Sequence, residues 1–477
     1  MNIRMLHFIC LLFCFTVEAS ASSDIDKMSE EDRAHVIFSG YDILIENVQL
    51  IDGTGAAPRQ NMSVLVRNGI IEKVQPSDEV LTQDYVQKID GTGKTLLPGF
   101  VMVHEHMFYP APKLGELNAY PYSFSRLYLA GGSTTVRTAG SIAPYGDINL
   151  AKAIAAGKQP GPDIDVTGPY LEASPVIAIK QAELEGVESI ARTVDYWAGA
   201  GVTSFKVYNN LSHAQLRTAI NTAHSRGMKV TGHLCSITYA DAAKLGIDNI
   251  EHSFAVAPDF VANKQADTCP DPREVFSSLA TLDPDGDELG TLIKLLIEKN
   301  VALTSTLPIF EASTPGRPKT PDYALDLLIP ELRQSYERIW QRIHNSALSS
   351  NYLSKLMRME KRFVEMGGTL LAGTDPTGYG GVIPGWSAVR EVQLLIEAGF
   401  SISEAVKIST LNGARFLDKG RSIGSVEPGK RADLILIDGN PVHDPRQLVN
   451  IEYVFKEGIG FSAKSIFEAM KGKVGLY

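Results

Sequence analysis

The sequence of 477 residues has little cysteine and no surplus of positive charge. Four cysteines are present, and the formal net charge is -10 at pH 7. No stripe or cluster of Lys and Arg stands out in the sequence, which argues against nucleic acid as a partner. Hydrophobic residues make up 44% of the chain, as in ordinary globular proteins. The length suffices for one large domain and a smaller one.

Long apolar runs are also missing, except near the N-terminus. Residues 6–17 read LHFICLLFCFTV, follow the positive Arg4, and form a run too short to span a bilayer comfortably. The small residues Ala19 and Ala21 come next, as at a signal-peptidase site. We predict a signal peptide over residues 1–21, export to a periplasmic or extracellular location, and no membrane span once the peptide is removed.

Removal of this segment leaves two cysteines, Cys235 and Cys269. In an oxidising compartment the two could form a disulfide. A bridge requires Cα atoms roughly 4.4–6.8 Å apart, which spacing in the sequence does not determine. Two unrelated small buried residues are an equally good interpretation of the sequence.

Both ends of the remaining chain have the alternating texture of antiparallel strands. Residues 41–45 (YDILI) alternate with period two, and Asn68-Gly69 between β-prone runs is a hairpin signal. Residues 432–437 near the C-terminus have a similar texture. We predict a polar N-terminal segment and the two parts of one small β-sandwich domain, over residues 22–39, 40–96 and 416–477.

Between these ends, short apolar strands alternate with helical stretches, which implies parallel βα units. We predict an α/β protein with a (β/α)8 TIM barrel over residues 97–415. Residues 258–330 are rich in proline and poorly periodic, so we expect a loop insertion over the mouth of the barrel. The candidate strands are residues 97–103, 133–137, 163–167, 203–207, 228–232, 248–252, 301–305 and 369–374.

Side chains that can bind metals or carry protons stand at the ends of five candidate strands. His104 and His106 are one residue apart, so on a continuing strand their imidazoles share one face. Active sites of such barrels lie at the C-terminal ends of the strands, and we therefore expect the whole set to converge. The set is His104, His106, Lys206, His233, His252 and Asp375.

This set predicts a binuclear metal centre. Neutral imidazoles and a carboxylate suit zinc or a similar divalent ion. A protonated lysine repels cations, but neutral Lys206 can add carbon dioxide and become an anionic carbamate that bridges two ions. We predict two divalent metal ions, zinc by preference, and N6-carboxylysine at Lys206.

The ordered set resembles the amidohydrolase superfamily, and the flanking sequence extends the likeness over nearly the whole chain. Pro98-Gly99 before the histidines, residues 132–137 (GSTTVR) and residues 424–433 (GSVEPGKRAD) all carry it. The branch that the sequence resembles is that of imidazolonepropionase-like hydrolases, which includes Xaa-Pro and Xaa-Arg dipeptidases. The resemblance implies an enzyme with a small-molecule or short-peptide substrate, and a homo-oligomer is one expectation because such barrels commonly assemble.

The resemblance also implies a role for each residue. His104, His106 and Asp375 would hold the more buried ion, and His233 and His252 would hold the outer one. Carboxylated Lys206 would bridge the two ions, and a metal-bridging hydroxide would be the nucleophile. Asp375 would take the proton from that water and deliver it to the leaving amine, which makes Asp375 and Lys206 the catalytic residues.

Substrate contacts are less defined. Tyr170 follows Gly168-Pro169, where relatives that bind a substrate carboxylate offer a histidine, and Tyr208 follows the strand of Lys206; both are candidates for contacting substrate. Glu251 should face away from its neighbour His252 on the strand, which favours a structural or supporting role for this carboxylate.

The predicted reaction is hydrolysis of an amide or peptide C–N bond, in a dipeptide or an N-acyl amino acid. A lactonase, an esterase or a cyclic-amide hydrolase could use the same metals. A mononuclear deaminase is disfavoured, because no Glu follows His233 closely and deaminases do not need the lysine. A metal-free scaffold is disfavoured because such descendants generally lose ligands, and all six are present here.

Overall fold

A computed structural model describes residues 25–39, 42–79, 87–111, 116–176, 182–346 and 351–476. The predicted signal peptide, residues 1–21, lies outside these ranges, so export stays a prediction. Within them, every helix is too short or too polar to cross a membrane.

The described strands run in chain order from the β domain through the parallel region and back to the β domain. They are β1 (Val36–Phe38), β2 (Asp42–Leu50), β3 (Arg59–Arg67), β4 (Ile70–Pro76), β5 (Gln87–Asp90), β6 (Lys94–Pro98), β7 (Phe100–Glu105), β8 (Phe108–Pro110), β9 (Leu117–Ala119), β10 (Ser133–Thr138), β11 (Asp163–Asp165), β12 (Ser204–Val207), β13 (Lys229–Gly232), β14 (Asn249–Ile250), β15 (Ala302–Ser305), β16 (Leu370–Ala372), β17 (Leu434–Asp438), β18 (Ile451–Lys456) and β19 (Ile459–Ser462).

The described helices lie mainly between the parallel strands. They are α1 (Glu30–Arg33), α2 (Pro121–Ala130), α3 (Pro144–Ala155), α4 (Gly186–Ala200), α5 (His213–His224), α6 (Tyr239–Leu245), α7 (Pro272–Thr281), α8 (Asp287–Glu298), α9 (Leu307–Ala312), α10 (Asp322–Leu325), α11 (Pro330–His344), α12 (Asn351–Glu365), α13 (Trp386–Glu397), α14 (Ile402–Lys407), α15 (Gly413–Phe416) and α16 (Ala463–Ala469). A π-helical turn, Ile408–Asn412, joins α14 to α15.

Strands from both ends of the chain form one nine-stranded sheet. Its order is β1-β19-β18-β17-β6-β2-β3-β4, and β5 pairs with β2. The register of β2 with β3 places Ile43 opposite Val66 and Ile45 opposite Val64, and all four side chains are buried. The β domain that we predicted from both ends of the chain is therefore present as one continuous sheet. The arrangement of its strands as a β-sandwich stays a prediction.

The strand β6 joins this sheet to the parallel region. Leu96 of β6 pairs with Leu436 of β17, so the two termini meet there. After Gly99 the chain continues directly into β7, which carries His104. The predicted strand 97–103 is thus the end of β6 and most of β7. The first functional strand is anchored by the β domain.

Parallel strands form two further sheets, in the orders β11-β10-β7 and β12-β13-β14-β15-β16. Backbone hydrogen bonds connect the two sheets at both edges. The amide of Leu171 donates to the carbonyl of Lys206 at 2.9 Å, and the amide of Thr374 donates to the carbonyl of His104 at 3.1 Å. The predicted α/β class with parallel strands is confirmed, and closure into a (β/α)8 barrel stays a prediction.

Residues 258–330 contain more regular structure than the predicted loop insertion. The segment includes β15, the helices α7, α8, α9 and α10, and a 3-10 turn at Pro258–Phe260. The proline content was interpreted as a sign of loops, but Pro272 and Pro308 stand in the first turns of α7 and α9. Proline is tolerated there, since the N–H that it lacks would have no partner within the helix.

Candidate active site

Strand ends bring the predicted residues together around one cavity of about 360 Å³. His106 follows β7, and Lys206 lies in β12. His233, His252 and Asp375 follow β13, β14 and β16. His104 lies beneath this group, fully buried, with Nε2 3.4 Å from Nζ of Lys206. The predicted residues among those lining the cavity are His106, Tyr170, Lys206, Tyr208, His233, His252 and Asp375.

Asp375 lies at the centre of the donor atoms. Its Oδ1 atom is 3.2 Å from Nε2 of His106 and 3.6 Å from Nε2 of His104. Its Oδ2 atom is 3.8 Å from Nδ1 of His252. Ligand atoms of His104, His252 and Asp375 all lie within 4.8 Å of one another, which is close enough to hold a single ion. The ring of His233 is 4.7 Å from the ring of His252, centroid to centroid.

The hydrogen bonds of Nδ1 in three imidazoles test whether these residues fit a metal. Nδ1 of His104 donates to Oε2 of Glu251 at 2.7 Å. Nδ1 of His106 donates to the carbonyl of Gly140 at 3.3 Å. Nδ1 of His252 is hydrogen-bonded to the hydroxyl of Thr306 at 2.9 Å. Because Nδ1 donates in His104 and His106, Nε2 of both keeps its lone pair for an ion, as in known histidine metal ligands. The donor set therefore fits a metal.

Burial keeps the imidazoles of His106 and His233 neutral. It lowers the pKa of His106 to about 4 and, with the charge of Lys206 adding to it, lowers the pKa of His233 to about 3. Because only a neutral imidazole has a lone pair to give, both side chains are in the ligand form at pH 7.

Lys206 has the basicity that carbamate formation needs. Burial lowers the pKa of its ammonium group to about 8. Roughly a tenth of the side chain is then a neutral amine at pH 7, which is the form that reacts with carbon dioxide. In water, a lysine with an ordinary pKa of about 10.4 would have almost none of this form.

Two site residues stand at backbone positions that side chains rarely adopt. His252 has φ 63°, its neighbour Ser253 has φ 51°, and Asp375 has φ 52°. These left-handed residues bend the chain away from the strand axis and turn the side chains toward the cavity. Gly373 allows the last strand to approach, because a Cβ atom there would lie 2.3 Å from Cβ of His104.

Glu251 has the supporting role that the sequence predicted. It follows β14, which ends at Ile250. Its side chain lies fully buried against His104, another site residue. Burial raises the pKa of this carboxyl, but His104 and Arg137 outweigh burial and hold the pKa well below its ordinary value. Glu251 is therefore a carboxylate that orients His104.

Arg137 is a supporting residue that the sequence marked only as part of a motif. Its Nη1 atom donates to Oε1 of Glu251 at 3.1 Å and to the carbonyl of Val103 at 3.0 Å. Its other nitrogens donate to the hydroxyls of Thr231 and Ser204. The buried guanidinium thus connects its own strand, β10, with β7, β12 and β13, and also with Glu251. An arginine inside a strand with no other charged residue was the signal that could have identified it.

Tyr170 and Tyr208 form one wall of the cavity. Their rings are 5.2 Å apart, in an edge-to-face arrangement. Nζ of Lys206 is 5.5 Å and 5.8 Å from the two ring centroids. Burial raises the pKa of Tyr170 well above its ordinary value, so its hydroxyl stays protonated. Within the described part of the chain, neither hydroxyl has a hydrogen-bond partner.

Cys235 and Cys269 form a disulfide, with Cα atoms 4.8 Å apart. Cys235 lies two residues after His233, on the segment that leaves β13. Cys269 lies in the segment that precedes α7. The bridge therefore fixes a site-bearing loop to the inserted region.

The fold and the site define a class: an α/β protein whose histidines, lysine and aspartate meet at one end of parallel strands. Residues 95–473 match the Amidohydrolase family. The chain belongs to the amidohydrolase family, a metal-dependent family whose typical substrates are small molecules. The predicted resemblance is confirmed.

The chain is similar to curated proteins named imidazolonepropionase. One from Thermoanaerobacter pseudethanolicus is 32% identical over 94 residues, which is 19% of this chain and 21% of that protein. The chain thus spans about a fifth of the length of that relative. One from Clostridium tetani is 23% identical over 416 residues, which is 80% of this chain and 84% of that protein.

The solved structures to which the chain is similar include a Xaa-Pro dipeptidase with bound methionine in the active site. Its TM-score is 0.65 at 20% identity, and the alignment covers 88% of this chain and 100% of that chain. At this identity the likeness extends to the fold alone.

Proposed function

We propose that the chain is a binuclear metal-dependent hydrolase that cleaves the C–N bond of an amide, peptide bonds included. The observation that carries this proposal is the orientation of the imidazoles. Nε2 of His104 and Nε2 of His106 both face Asp375, while their Nδ1 atoms are held from behind by Glu251 and Gly140. Such orientation is typical of metal ligands.

The residues divide into two sites in this proposal. His104, His106 and Asp375 would hold one ion, and His233 and His252 would hold the other. Lys206 would bridge them as N6-carboxylysine. When bound, two divalent ions, zinc by our proposal, supply an activated water and polarise the scissile carbonyl. The proposal includes closure of the parallel strands into a (β/α)8 barrel and export of the chain.

Asp375 is the proposed proton carrier. Its side chain is 12% exposed and lines the cavity, while its Oδ1 accepts a hydrogen bond from the hydroxyl of Thr377 at 2.8 Å. The carboxylate takes a proton from the attacking water and passes it to the leaving nitrogen. The nitrogen then leaves as a neutral amine, which is a far better leaving group than its anion.

Tyr208 and Tyr170 are the proposed substrate contacts. Both hydroxyls are donors that need a partner and line the cavity beside Lys206. Either can donate to the carbonyl oxygen of the substrate, where negative charge develops during attack. Tyr208→Phe removes one donor and keeps the ring, so we expect kcat to fall about 10-fold to 1000-fold with little change in folding.

Metal analysis of the purified mature chain tests the central point. We expect two divalent ions per chain after loading with zinc, measured by plasma emission spectrometry. Fewer than one ion per chain would overturn the binuclear proposal. A screen of the zinc-loaded protein against dipeptides, N-acyl amino acids, simple amides and lactones tests the reaction, and we expect amide cleavage to dominate.

The role of Lys206 has its own test. Lys206→Ala should abolish turnover and reduce binding to one ion per chain. Lys229→Ala is the matched control, because Lys229 begins the neighbouring strand β13 and pairs with Asp418, away from the cavity. A Lys206→Ala variant that keeps most of its activity would refute the bridging role.

Hydrolysis of a cyclic amide is the second candidate. The observation that favours it is the similarity to proteins named imidazolonepropionase, which extends over 80% of this chain. Including a five-membered cyclic amide in the screen separates the two candidates. Preference for the cyclic compound over its open-chain counterpart would favour the second.

A further inference from the structure

The outer wall of the cavity is apolar. Beyond the predicted metal ligands and tyrosines, the described residues that surround the space are six with hydrophobic side chains, Thr377 and Gly378. Cavities of this size, about 360 Å³, accommodate a small organic molecule with most of its surface covered. The six side chains are Phe108, Leu117, Ile142, Val256, Ile309 and Phe310.

Cations that could hold a carboxylate are absent from the described lining of this cavity, apart from Lys206 at its base. The nearest supporting arginine, Arg137, is fully buried and paired with Glu251. Arg317 and Arg390 line a separate cavity. There both bind Glu311, Arg317 at 2.8 Å and Arg390 at 2.7 Å.

Against the six hydrophobic side chains, away from the metal ligands and Lys206, a free carboxylate would lose its water without gaining a charged partner among the described residues. Burying an unpaired ion against hydrocarbon is strongly unfavourable. An uncharged phenyl or branched alkyl group would instead remove apolar side chains such as Phe310 from water, which is favourable. The tyrosine hydroxyls satisfy a carbonyl oxygen without requiring a charge.

We infer that the site takes an uncharged amide with a bulky apolar group, and that it discriminates against substrates with a free carboxylate next to the cleaved bond. This inference rests on the proposed amide hydrolysis and narrows it away from dipeptides and N-acyl amino acids. Phe310 and Ile142 are the specificity-determining residues in this account.

Matched pairs of compounds test the inference on the zinc-loaded chain. N-acetyl-phenethylamine and N-acetyl-phenylalanine differ only in a carboxylate, and both place the phenyl group on the amine side. N-ethyl-phenylacetamide and phenylacetylglycine place it on the acyl side, and a carboxylate replaces a methyl group. We expect kcat/KM for the neutral member to exceed that of its anionic partner at least 10-fold in one pair. Equal rates, or preference for the anion, in both pairs would overturn the inference.

Substitutions in the wall test its cause. Ile142→Arg places a guanidinium at the cavity and should shift the neutral-to-anionic ratio of kcat/KM at least 10-fold toward the anion. Ile142→Gln, similar in length but uncharged, is the control and should leave the ratio within about 3-fold. Phe310→Ala should raise KM for phenyl compounds more than for N-ethyl-acetamide. An unchanged ratio in a folded Ile142→Arg variant would contradict the proposed role of the wall.

Equilibrium binding separates failure of this inference from failure of the proposed function. Absence of turnover for every amide in the screen would overturn amide hydrolysis. Calorimetric titration of the zinc-loaded full chain with the same four compounds still decides the inference, because it needs no chemistry. Tighter binding of the neutral compounds supports it, and equal or weaker binding overturns it.

Discussion

Glu251→Gln is the substitution that most directly probes how the site is built. Glu251 accepts a hydrogen bond from Nδ1 of His104 at 2.7 Å and one from Arg137 at 3.1 Å, and all three side chains are buried. Glutamine keeps the shape but has one acceptor and one donor end. If its oxygen faces Arg137, its amide N–H faces Nδ1 of His104. His104 must then carry its proton on Nε2, which is the atom that should bind the metal.

The expected magnitude follows from these contacts. Removing the partner that orients a metal-bound histidine typically weakens metal affinity 10-fold to 100-fold, or about 1.4–2.8 kcal/mol. The variant also leaves the buried Arg137 without an anionic partner, which can cost up to about 3–5 kcal/mol in the free energy of unfolding. The two effects differ in kind, since only the first depends on metal.

Two measurements separate them. Zinc affinity is measured by competition with a chromophoric chelator, and the free energy of unfolding is measured by urea titration of the metal-free chain. Glu360→Gln is the matched control, because Glu360 is equally buried but bonds Ser305 instead of a metal ligand. We expect Glu360→Gln to bind zinc like the parent. A folded Glu251→Gln variant with unchanged zinc affinity would refute the proposed orientation of His104.

Three further predictions concern the carbamate, the disulfide and a buried acid. Supplying ¹³C-labelled bicarbonate with zinc should give a carbamate resonance in the NMR spectrum that Lys206→Ala lacks; a shared signal would contradict carboxylation of Lys206. Replacing Cys235 and Cys269 by serine opens a loop of sequence separation 34 and should lower the free energy of unfolding by about 3–4 kcal/mol in urea titrations; no change would show that the bridge adds nothing. Burial raises the pKa of Glu360 from 4.5 to about 8. The cost of this carboxyl to stability is therefore absent below pH 4.5 and grows by roughly 1.4 kcal/mol per pH unit up to pH 8. Glu360→Gln should therefore gain stability over the parent across that window, and a constant difference would disprove the shift.

Strand positions were largely predictable from the sequence, because short apolar runs with β-branched residues sit between turn signals. The predicted strand 133–137 corresponds to β10 (Ser133–Thr138), and 203–207 corresponds to β12 (Ser204–Val207). Residues just past such strands share one edge of a parallel sheet. His233 and Asp375 could therefore be assigned to one site without knowledge of loop paths.

Contacts between strands were not predictable in the same way. The partner of Glu251 is Nδ1 of His104 on a different strand, and periodicity along one strand has no information about such a contact. The links from Arg137 to neighbouring strands depend on how those strands stack. The helices α7 and α9 were missed because proline starts a helix as readily as it interrupts one.

The left-handed backbone at His252 and Asp375 has a consequence for laboratory evolution of this protein. Non-glycine residues pay roughly 1–2 kcal/mol at such positions, and glycine avoids most of that cost. A selection that rewards folding alone therefore does not protect His252 or Asp375, because relief of the backbone offsets part of what a glycine variant loses with the contacts to Thr306 and Thr377. Libraries screened for thermal tolerance should be grown with metal and assayed for turnover in the same round. Without that assay, stable variants that have lost metal ligands and activity would be retained.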